Sequence, residues 1–243
     1  QAPSGVTAAY RLGWTVLLLL PVVLLRCRAE LRRVTARDLV LCGASGVLLA
    51  LHFLTWFESV KRTSVASSTV LVSTEVIFTA LGFALFLHGK IPRLGVWAIL
   101  LAFGGSALLA LSGGGGAGEL SGNLLALAAA SAAAVYTLIG RIQRGHLSTT
   151  VYTFLTYLAC FLTLLLGTAA AGTPLTGYGG REWLIGLALA VLCTLLGHSL
   201  FSWCLKYLSP SYVSAAKLCE PVFSSLAAIP LFGEVPGPLQ LAG

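Results

Sequence analysis

The chain has 243 residues, of which 57% are hydrophobic and only 9% are charged, and its mean hydropathy is +0.92. A soluble globular domain carries about a quarter charged residues, so this composition excludes an ordinary soluble fold. The net charge of +7 does not indicate nucleic-acid binding, because the basic residues lie mainly in short loops between apolar runs, as in membrane proteins.

The apolar runs are each about twenty residues long, which suits membrane-spanning α-helices rather than the roughly ten-residue alternating strands of a β-barrel. The sequence therefore predicts an all-α membrane protein, a bundle of transmembrane helices. In chain order, eight complete spans are predicted at residues 7–25, 39–57, 65–87, 94–112, 122–140, 149–171, 183–203 and 211–232, and a ninth begins near residue 237.

Lysine and arginine counts predict the orientation of the chain. Ten of these residues fall in the loops of one side and three in the loops of the other, and the loop 26–38 alone holds five arginines. Since basic residues concentrate in cytoplasmic loops, we expect the loop 26–38 to be cytoplasmic. The predicted localisation is the cell membrane, specifically a bacterial inner membrane, with the chain crossing it many times.

The most informative feature is a duplication. Residues 52–78 parallel residues 198–223, and the two copies lie five spans apart. An odd number of spans inverts the second copy in the membrane, a plan found in many secondary transporters. We therefore expect two inverted five-helix repeats at 1–112 and 122–243, joined by a Gly-rich outside linker at 113–121. The matched residues are His52 with His198 at an offset of 146, and Lys61, Ser64, Glu75 and Phe78 with Lys206, Ser209, Glu220 and Phe223 at an offset of 145.

The duplication also predicts what the intact protein contains. Two five-span repeats make ten spans, of which about eight and a half are present between Gln1 and Gly243. The chain contains no methionine. We expect one further span before Gln1 and the remainder of the last span after Gly243.

Two carboxylates, Glu75 and Glu220, lie well inside predicted spans. An ionised group at that depth costs about 2.5–3.5 kcal/mol, so it normally faces a cavity or a partner. These residues are candidates for binding a substrate ammonium group or a proton. The alternative is a protonated glutamate that donates a hydrogen bond to a neighbouring helix. Pro221 follows Glu220 and is expected to break the helix there, which leaves the carbonyl of Lys217 free.

Lys217 and two histidines complete the candidate substrate- or proton-binding residues. Lys217 lies on the same helical face as Glu220, so it could neutralise that carboxylate or bind a substrate carboxylate. The sequence leaves both interpretations open. His52 and His198 occupy equivalent places in the two repeats. They could relay protons, or they could be neutral histidines that form hydrogen bonds with neighbouring helices.

Arg11 and three aromatic residues are candidates for lining a cavity. Arg11, near the outer end of the first span, could attract an anionic substrate group or extend to the membrane surface. Trp56, Trp203 and Tyr152 could line the same cavity, although aromatic residues near span ends usually anchor helices at the interface.

Small residues and cysteines have simpler interpretations. Gly43 and Gly46 are expected to allow close helix packing. The six cysteines show no CxxC spacing and most lie in apolar spans, where cysteine behaves as a small hydrophobe. We therefore expect no metal site and no cofactor. Because HExxH, GxSxG and Walker-type motifs are absent from the sequence, no enzymatic activity is expected either.

The second copy of the duplication contains several short motifs, namely Gly197-His198, Leu205–Leu208, Ser209, Glu220-Pro221 and Gly233-Glu234. With these motifs it resembles the end of an EamA repeat of the drug/metabolite transporter superfamily. The first copy resembles the first such repeat, but Val76 follows Glu75 where proline is common, and Lys90 stands where the repeat is expected to close on Gly-Glu. These departures favour the second repeat as the chemically active half.

The resemblance implies a ten-span transporter with a central cavity between its inverted repeats. Members of this family move amino acids, sugars, nucleosides or other small metabolites, often outward. We therefore expect a secondary-active exporter of small polar metabolites such as amino acids, working by alternating access. Its partners would be the substrate and the lipid bilayer, and no binding to nucleic acid is expected. Whether the protein forms a homodimer is left open by the sequence. The alternatives are a non-transporting membrane scaffold or sensor, and an intramembrane enzyme that uses Glu and His as acid and base.

Overall fold

The computed structural model describes residues 2–91, 93, 95–101, 104 and 117–219. The described part is helical and contains no β-strand, which confirms the predicted all-α class. Most of the predicted spans 94–112 and 211–232, and all of the ninth, lie outside the described residues.

The helices are named here in chain order. They are α1 (Ser4–Arg26), α2 (Arg28–Leu31), α3 (Ala36–Val60), α4 (Val65–Ser73), α5 (Glu75–Phe86), α6 (Ala117–Gln143), α7 (Thr149–Ala170), α8 (Gly180–Leu189), a π-helix (Ala190–His198), α9 (Ser199–Cys204), α10 (Pro210–Ala216) and a 3₁₀ turn (Lys217–Cys219).

Six helical segments of the described chain are long and apolar enough to cross a membrane. Large apolar side chains stay exposed on them, for example Leu25 at 82%, Leu166 at 72% and Phe86 at 77%. Such exposure would be unfavourable in water and is expected for helices that face lipid. The segments are Ser4–Arg26, Ala36–Val60, Ser67–Phe86, Glu119–Gln143, Thr149–Ala170 and Gly180–Cys204.

Hydroxyl side chains mark where several helices begin. Thr35 and Asp38 exchange hydrogen bonds at the start of α3, with each side chain accepting from the other residue's backbone N–H. Ser64 caps α4 by accepting from the N–H of Ser67, and Ser148 caps α7 by accepting from the N–H of Val151. Each cap satisfies a backbone donor that has no partner within its helix, so the helix boundaries follow from the loop residues.

The chain forms two compact units. Unit 1 comprises residues 1–54 and 135–209, and unit 2 comprises residues 55–134 and 210–243. Since each unit draws on both predicted repeats, the units are not the repeats themselves. The division of the chain into repeats at residues 112–122 stays a prediction.

Close helix packing in unit 1 depends on one glycine. A Cβ atom at Gly46 would lie 2.5 Å from the Cβ of Ala159 and 2.5 Å from the carbonyl oxygen of Thr156, so α3 and α7 are almost in backbone contact there. At Gly43, one turn earlier, a Cβ would have nothing within 4 Å. Of the two glycines, only Gly46 has no room for a side chain.

We therefore expect Gly46→Ala to lower the stability of the protein by about 1–3 kcal/mol, because the added methyl group would force α3 and α7 apart. Gly43→Ala is the matched control and should leave stability unchanged or slightly raised. Thermal unfolding of the two purified variants in one detergent measures the difference. Equal midpoints for the two variants would contradict this account of the helix contact.

Candidate functional site

Unit 1 contains a group of polar and aromatic side chains linked by hydrogen bonds and ring contacts, which we call the Phe53 cluster. Helices that are separated in sequence contribute to it, so only the folded chain brings its members together. The cluster consists of Arg11 from α1, His52 and Phe53 from α3, Tyr136 from α6, Tyr157 from α7, Thr194 and His198 from the π-helix, and Ser199 from α9.

Arg11 is the charged member of the Phe53 cluster. Arg11 is only 5% exposed to solvent. Its Nε donates a hydrogen bond to Oγ1 of Thr194 over 2.7 Å, and its guanidinium carbon lies 4.6 Å from the centroid of the Phe53 ring. The sequence left open whether Arg11 faces a substrate or extends to the membrane surface. In the structure its side chain is buried.

The Arg11 side chain points along the neighbouring span. Its backbone lies beside Gly186, where a Cβ would be 3.5 Å from the Arg11 nitrogen and 2.7 Å from the Cβ of Tyr10. Its Nε nevertheless reaches Thr194, further along Gly180–Cys204. The guanidinium is therefore held towards the middle of that span, and glycine at 186 makes the close approach of the two helices feasible.

Arg11 retains hydrogen-bonding capacity. A guanidinium carries five N–H donors, and Thr194 occupies the one on Nε. Among the described residues, Arg11 forms no ion pair, and its terminal nitrogens donate no hydrogen bond to protein. A buried cation costs about 2.5–3.5 kcal/mol at the centre of a span. The hydrogen bond and the Phe53 ring supply about that much, so the charge is tolerated while most of its donors stay available.

The π-helix shapes the Thr194 side of the cluster. Two hydroxyl groups donate to carbonyl oxygens five residues earlier, Thr194 to Leu189 over 3.4 Å and Ser199 to Thr194 over 3.2 Å. The Ser199 hydroxyl is also 3.1 Å from the hydroxyl of Tyr157. π-Helices are rare and frequent at functional sites. Here the wide turns place a run of hydroxyl groups beside Arg11.

The two histidines of the duplication meet at the same ring. His52 is 9% exposed, and its ring centroid lies 5.3 Å from that of Phe53. The His198 ring lies 5.7 Å from Phe53 and 6.3 Å from Tyr136. The sequence placed these histidines at equivalent positions, and the structure brings both of them to Phe53 and so to Arg11.

Unit 2 contains a second polar group, an ion pair between α5 and the 3₁₀ turn. Nζ of Lys217 lies 2.8 Å and 3.1 Å from the two carboxylate oxygens of Glu75, and the Ser214 hydroxyl lies 3.4 Å from the nearer one. The Glu75 and Lys217 side chains are only 10% and 15% exposed. Glu220 and Pro221 lie outside the described residues, so their predicted roles stay predictions.

Both helices that carry the ion pair change conformation beside it. A turn at Thr74 separates α4 from α5, which begins at Glu75, and α10 gives way to the 3₁₀ turn at Lys217. Thr74 and Cys219, the last residue of that turn, are 145 residues apart, which is the offset of the duplication. In transporters, interrupted helices at membrane depth often carry binding sites, because they leave backbone groups and helix ends unpaired.

The three aromatic candidates lie elsewhere. Tyr152 is fully buried in unit 1, with its hydroxyl 2.9 Å from that of Ser45. Trp203 is 49% exposed and packs on Tyr207. Trp56, in unit 2, stacks on Phe57 at 5.5 Å. None of the three belongs to the Phe53 cluster.

Sequence reasoning missed Phe53, Thr194 and Ser199 as parts of a site. The signal present for the last two is a pair of hydroxyl residues five positions apart in an apolar span, and single hydroxyl groups are too common in spans to be distinctive. Nothing in the sequence distinguishes Phe53 from other phenylalanines.

We expect Glu75→Gln and Lys217→Gln each to destabilise the protein by about 3–5 kcal/mol, because each removes one partner of a buried ion pair. The double variant should recover much of that loss. The four stabilities form a double-mutant cycle that thermal unfolding can measure. The matched control is the pair Glu58–Lys61 in the same unit, whose side chains are 39% and 54% exposed.

The control cycle should give a coupling of about 0.2–1 kcal/mol, as exposed pairs do. If the effects of Glu75→Gln and Lys217→Gln simply added, the two residues would not stabilise each other and the ion pair would not account for their burial.

Comparison with known protein families identifies the family of this chain. The sequence profile of the EamA-like transporter family matches residues 1–111 and 120–243. The chain is similar to the Pseudopaline exporter CntI of Pseudomonas aeruginosa strains UCBPP-PA14 and PAO1, with 24% identity over 198 residues that cover 82% of this chain and 68% of each relative.

The fold is shared with proteins of known structure, among them one solved by crystallography. It aligns with a TM-score of 0.75 at 19% sequence identity, over 100% of this chain and 83% of the other. Together with the apolar helices, the family match over nearly the whole chain shows what kind of protein this is. The chain belongs to the EamA-like transporter family and is a multi-pass membrane transporter.

Proposed function

We propose that the protein is a secondary-active exporter of small polar metabolites such as amino acids, and that it works by alternating access. The names of its relatives support the outward direction, since both are exporters. The inverted duplication supports alternating access, because transporters of this plan expose a central site to each side of the membrane in turn.

One observation favours a substrate that carries a carboxylate. Arg11 is buried in a membrane span, and within the described chain its terminal nitrogens have no hydrogen-bond partner. A guanidinium binds a carboxylate through two parallel N–H···O bonds, and such bonds are about twice as strong as neutral ones. Arg11 therefore offers the recognition group that a small carboxylic acid requires.

The rest of the Phe53 cluster suits a small polar molecule. The Thr194 and Ser199 hydroxyl groups can exchange hydrogen bonds with a substrate, and the aromatic faces of Phe53 and Tyr157 can contact its apolar part. Amino acids combine these features in one small molecule. The geometry favours small molecules that combine a carboxylate, polar groups and an apolar part, and several amino acids meet this description.

Proton coupling is the second part of the proposal. Histidine is the side chain that titrates in the physiological range. The rings of His52 and His198 both contact Phe53, the ring that Arg11 also contacts. In unit 2, uptake of a proton by Glu75 would remove the carboxylate charge that pairs with Lys217. The contact between the 3₁₀ turn and α5 would then weaken, which would link protonation to the packing of these two elements. Glu220 is retained as a coupling candidate from the sequence.

Transport by the full-length protein in proteoliposomes tests the role of Arg11. Uptake of pooled labelled amino acids should fall at least about tenfold in Arg11→Gln, since losing one charge-assisted bidentate contact costs about 1.5–3 kcal/mol. Arg11→Lys should restore part of the flux, because it keeps the charge but lacks the two-pronged geometry. The control Arg28→Gln, at an exposed residue of α2, should transport like the wild type.

Wild-type flux in Arg11→Gln would remove Arg11 from the substrate site. Absence of flux in every variant, wild type included, would count against amino acids as substrates and revive the scaffold alternative.

An imposed pH gradient tests the coupling in the same proteoliposomes. We expect the gradient to stimulate wild-type flux, and His198→Gln and Glu220→Gln to lose that stimulation because neither replacement can carry a proton. The control is His88→Asn in an exposed loop, where the backbone φ of 51° is one that asparagine tolerates. Flux that ignores the gradient in the wild type would indicate exchange or facilitated diffusion instead.

A further inference from the structure

A cleft of about 970 Å³ opens in unit 1 where four helices end or begin. It is separate from the Phe53 cluster and from the ion pair of unit 2, and the proposed function does not use it. The walls come from the end of α1, from α2, from the start of α3 and from the end of α6. The arginines, carboxylates and histidine of its lining are Arg26, Arg33 and Arg37, with Glu30, Asp38 and His146.

The acidic side chains of the cleft are already occupied. Glu30 accepts a hydrogen bond from the backbone N–H of Ser148 over 2.6 Å. Asp38 accepts from the backbone and hydroxyl of Thr35 with one oxygen, and its other oxygen lies 3.2 Å from Nε2 of Gln143 and 2.8 Å from Nε2 of His146. Both carboxylates therefore serve to join helices, and neither pairs with an arginine.

The arginines of the cleft have no such partners. The side chains of Arg26, Arg33 and Arg37 are exposed and form no hydrogen bond or ion pair with any residue that the structure describes. Three guanidinium groups thus border one cleft with their donors available. The three arginines outnumber the two carboxylates of the lining, so the cleft presents a net positive charge to a molecule that enters it.

The surroundings of the cleft are those of a membrane surface. Immediately before Arg26, Leu24 and Leu25 are 40% and 82% exposed, and immediately after Asp38, Leu39 and Val40 are 53% and 69% exposed. These four side chains lie on helices that are long and apolar enough to cross a membrane. A molecule bound to the arginines would therefore have hydrocarbon-facing helix surfaces directly next to its charged end.

We propose that this cleft binds the phosphate headgroup of an anionic phospholipid, with the acyl chains lying against the exposed apolar residues of α1 and α3. Basic pockets at the membrane-surface ends of transmembrane helices are suited to such headgroups. A soluble phosphate would satisfy the arginines, but it would make no use of the apolar residues beside them. The lipid uses both parts of the site.

Native mass spectrometry of the full-length protein, with dioleoyl phosphatidylglycerol added in detergent, tests the proposal. The double variant Arg33→Gln/Arg37→Gln should bind the lipid about tenfold less than the wild type. The matched control is Arg28→Gln/Arg32→Gln, which removes the same charge from exposed arginines of the same loop that do not line the cleft. It should bind within about twofold of the wild type.

A second pair of measurements keeps the test decisive if the glutamine variant does not fold. Arg33→Lys/Arg37→Lys preserves the charge and should still bind less lipid than the wild type, because lysine lacks the bidentate geometry. Inorganic phosphate should compete weakly with the lipid. The proposal is overturned if the two glutamine variants lose lipid equally, if phosphatidylcholine binds as well, or if inorganic phosphate displaces the lipid at equal concentration.

Discussion

A charged side chain inside a membrane-spanning bundle must obtain from the protein the solvation that water would otherwise give it. The two units of this transporter meet that constraint differently. Unit 2 pairs Lys217 with Glu75, which satisfies both charges. Unit 1 surrounds Arg11 with a hydroxyl group and an aromatic ring, neither of which is charged. The first arrangement is closed by its own partners, whereas the second leaves a cation available for an anion from outside the protein.

Departures from regular helix geometry accompany both arrangements. The wide turns of Ala190–His198 bring Thr194 to Arg11, and the turn at Thr74 and the 3₁₀ turn Lys217–Cys219 adjoin the ion pair. A regular α-helix satisfies its own backbone and offers a membrane little polar chemistry beyond its side chains. Arg11 and the Glu75–Lys217 ion pair therefore lie beside segments in which the helix geometry is irregular.

The sequence predicted the helical class and six of the spans well, because a bilayer of fixed thickness imposes a length and an apolar composition that can be counted. It did not predict the pairing of Lys217 with Glu75. Spacing along one helix reveals only neighbours three or four residues away, such as Glu220, while Glu75 lies 142 residues earlier in the chain. The meeting of His52 and His198 was partly foreseeable, since the duplication gave them equivalent positions, although it gave no sign of Phe53 as their common contact.

The placement of Arg11 is a second example of what the sequence alone does not predict. A single arginine near a span end has two reasonable environments, and the choice depends on the helix beside it. Here Gly186 lets α1 approach closely enough for the side chain to follow the neighbouring span inward. Such complementarity between distant residues is a property of packing, which hydropathy along one chain does not record.

The π-helix also affects how relatives of this protein should be aligned. A π turn takes up an additional residue while the helix continues in nearly the same direction. Homologous spans can therefore differ by one residue and still have matching ends, and an alignment that forbids a gap within 190–198 would shift every position on one side of it. Helical wheels for this span should be drawn separately before Ala190 and after His198, because a single wheel would assign residues such as Gly186 and Ser202 to the wrong faces.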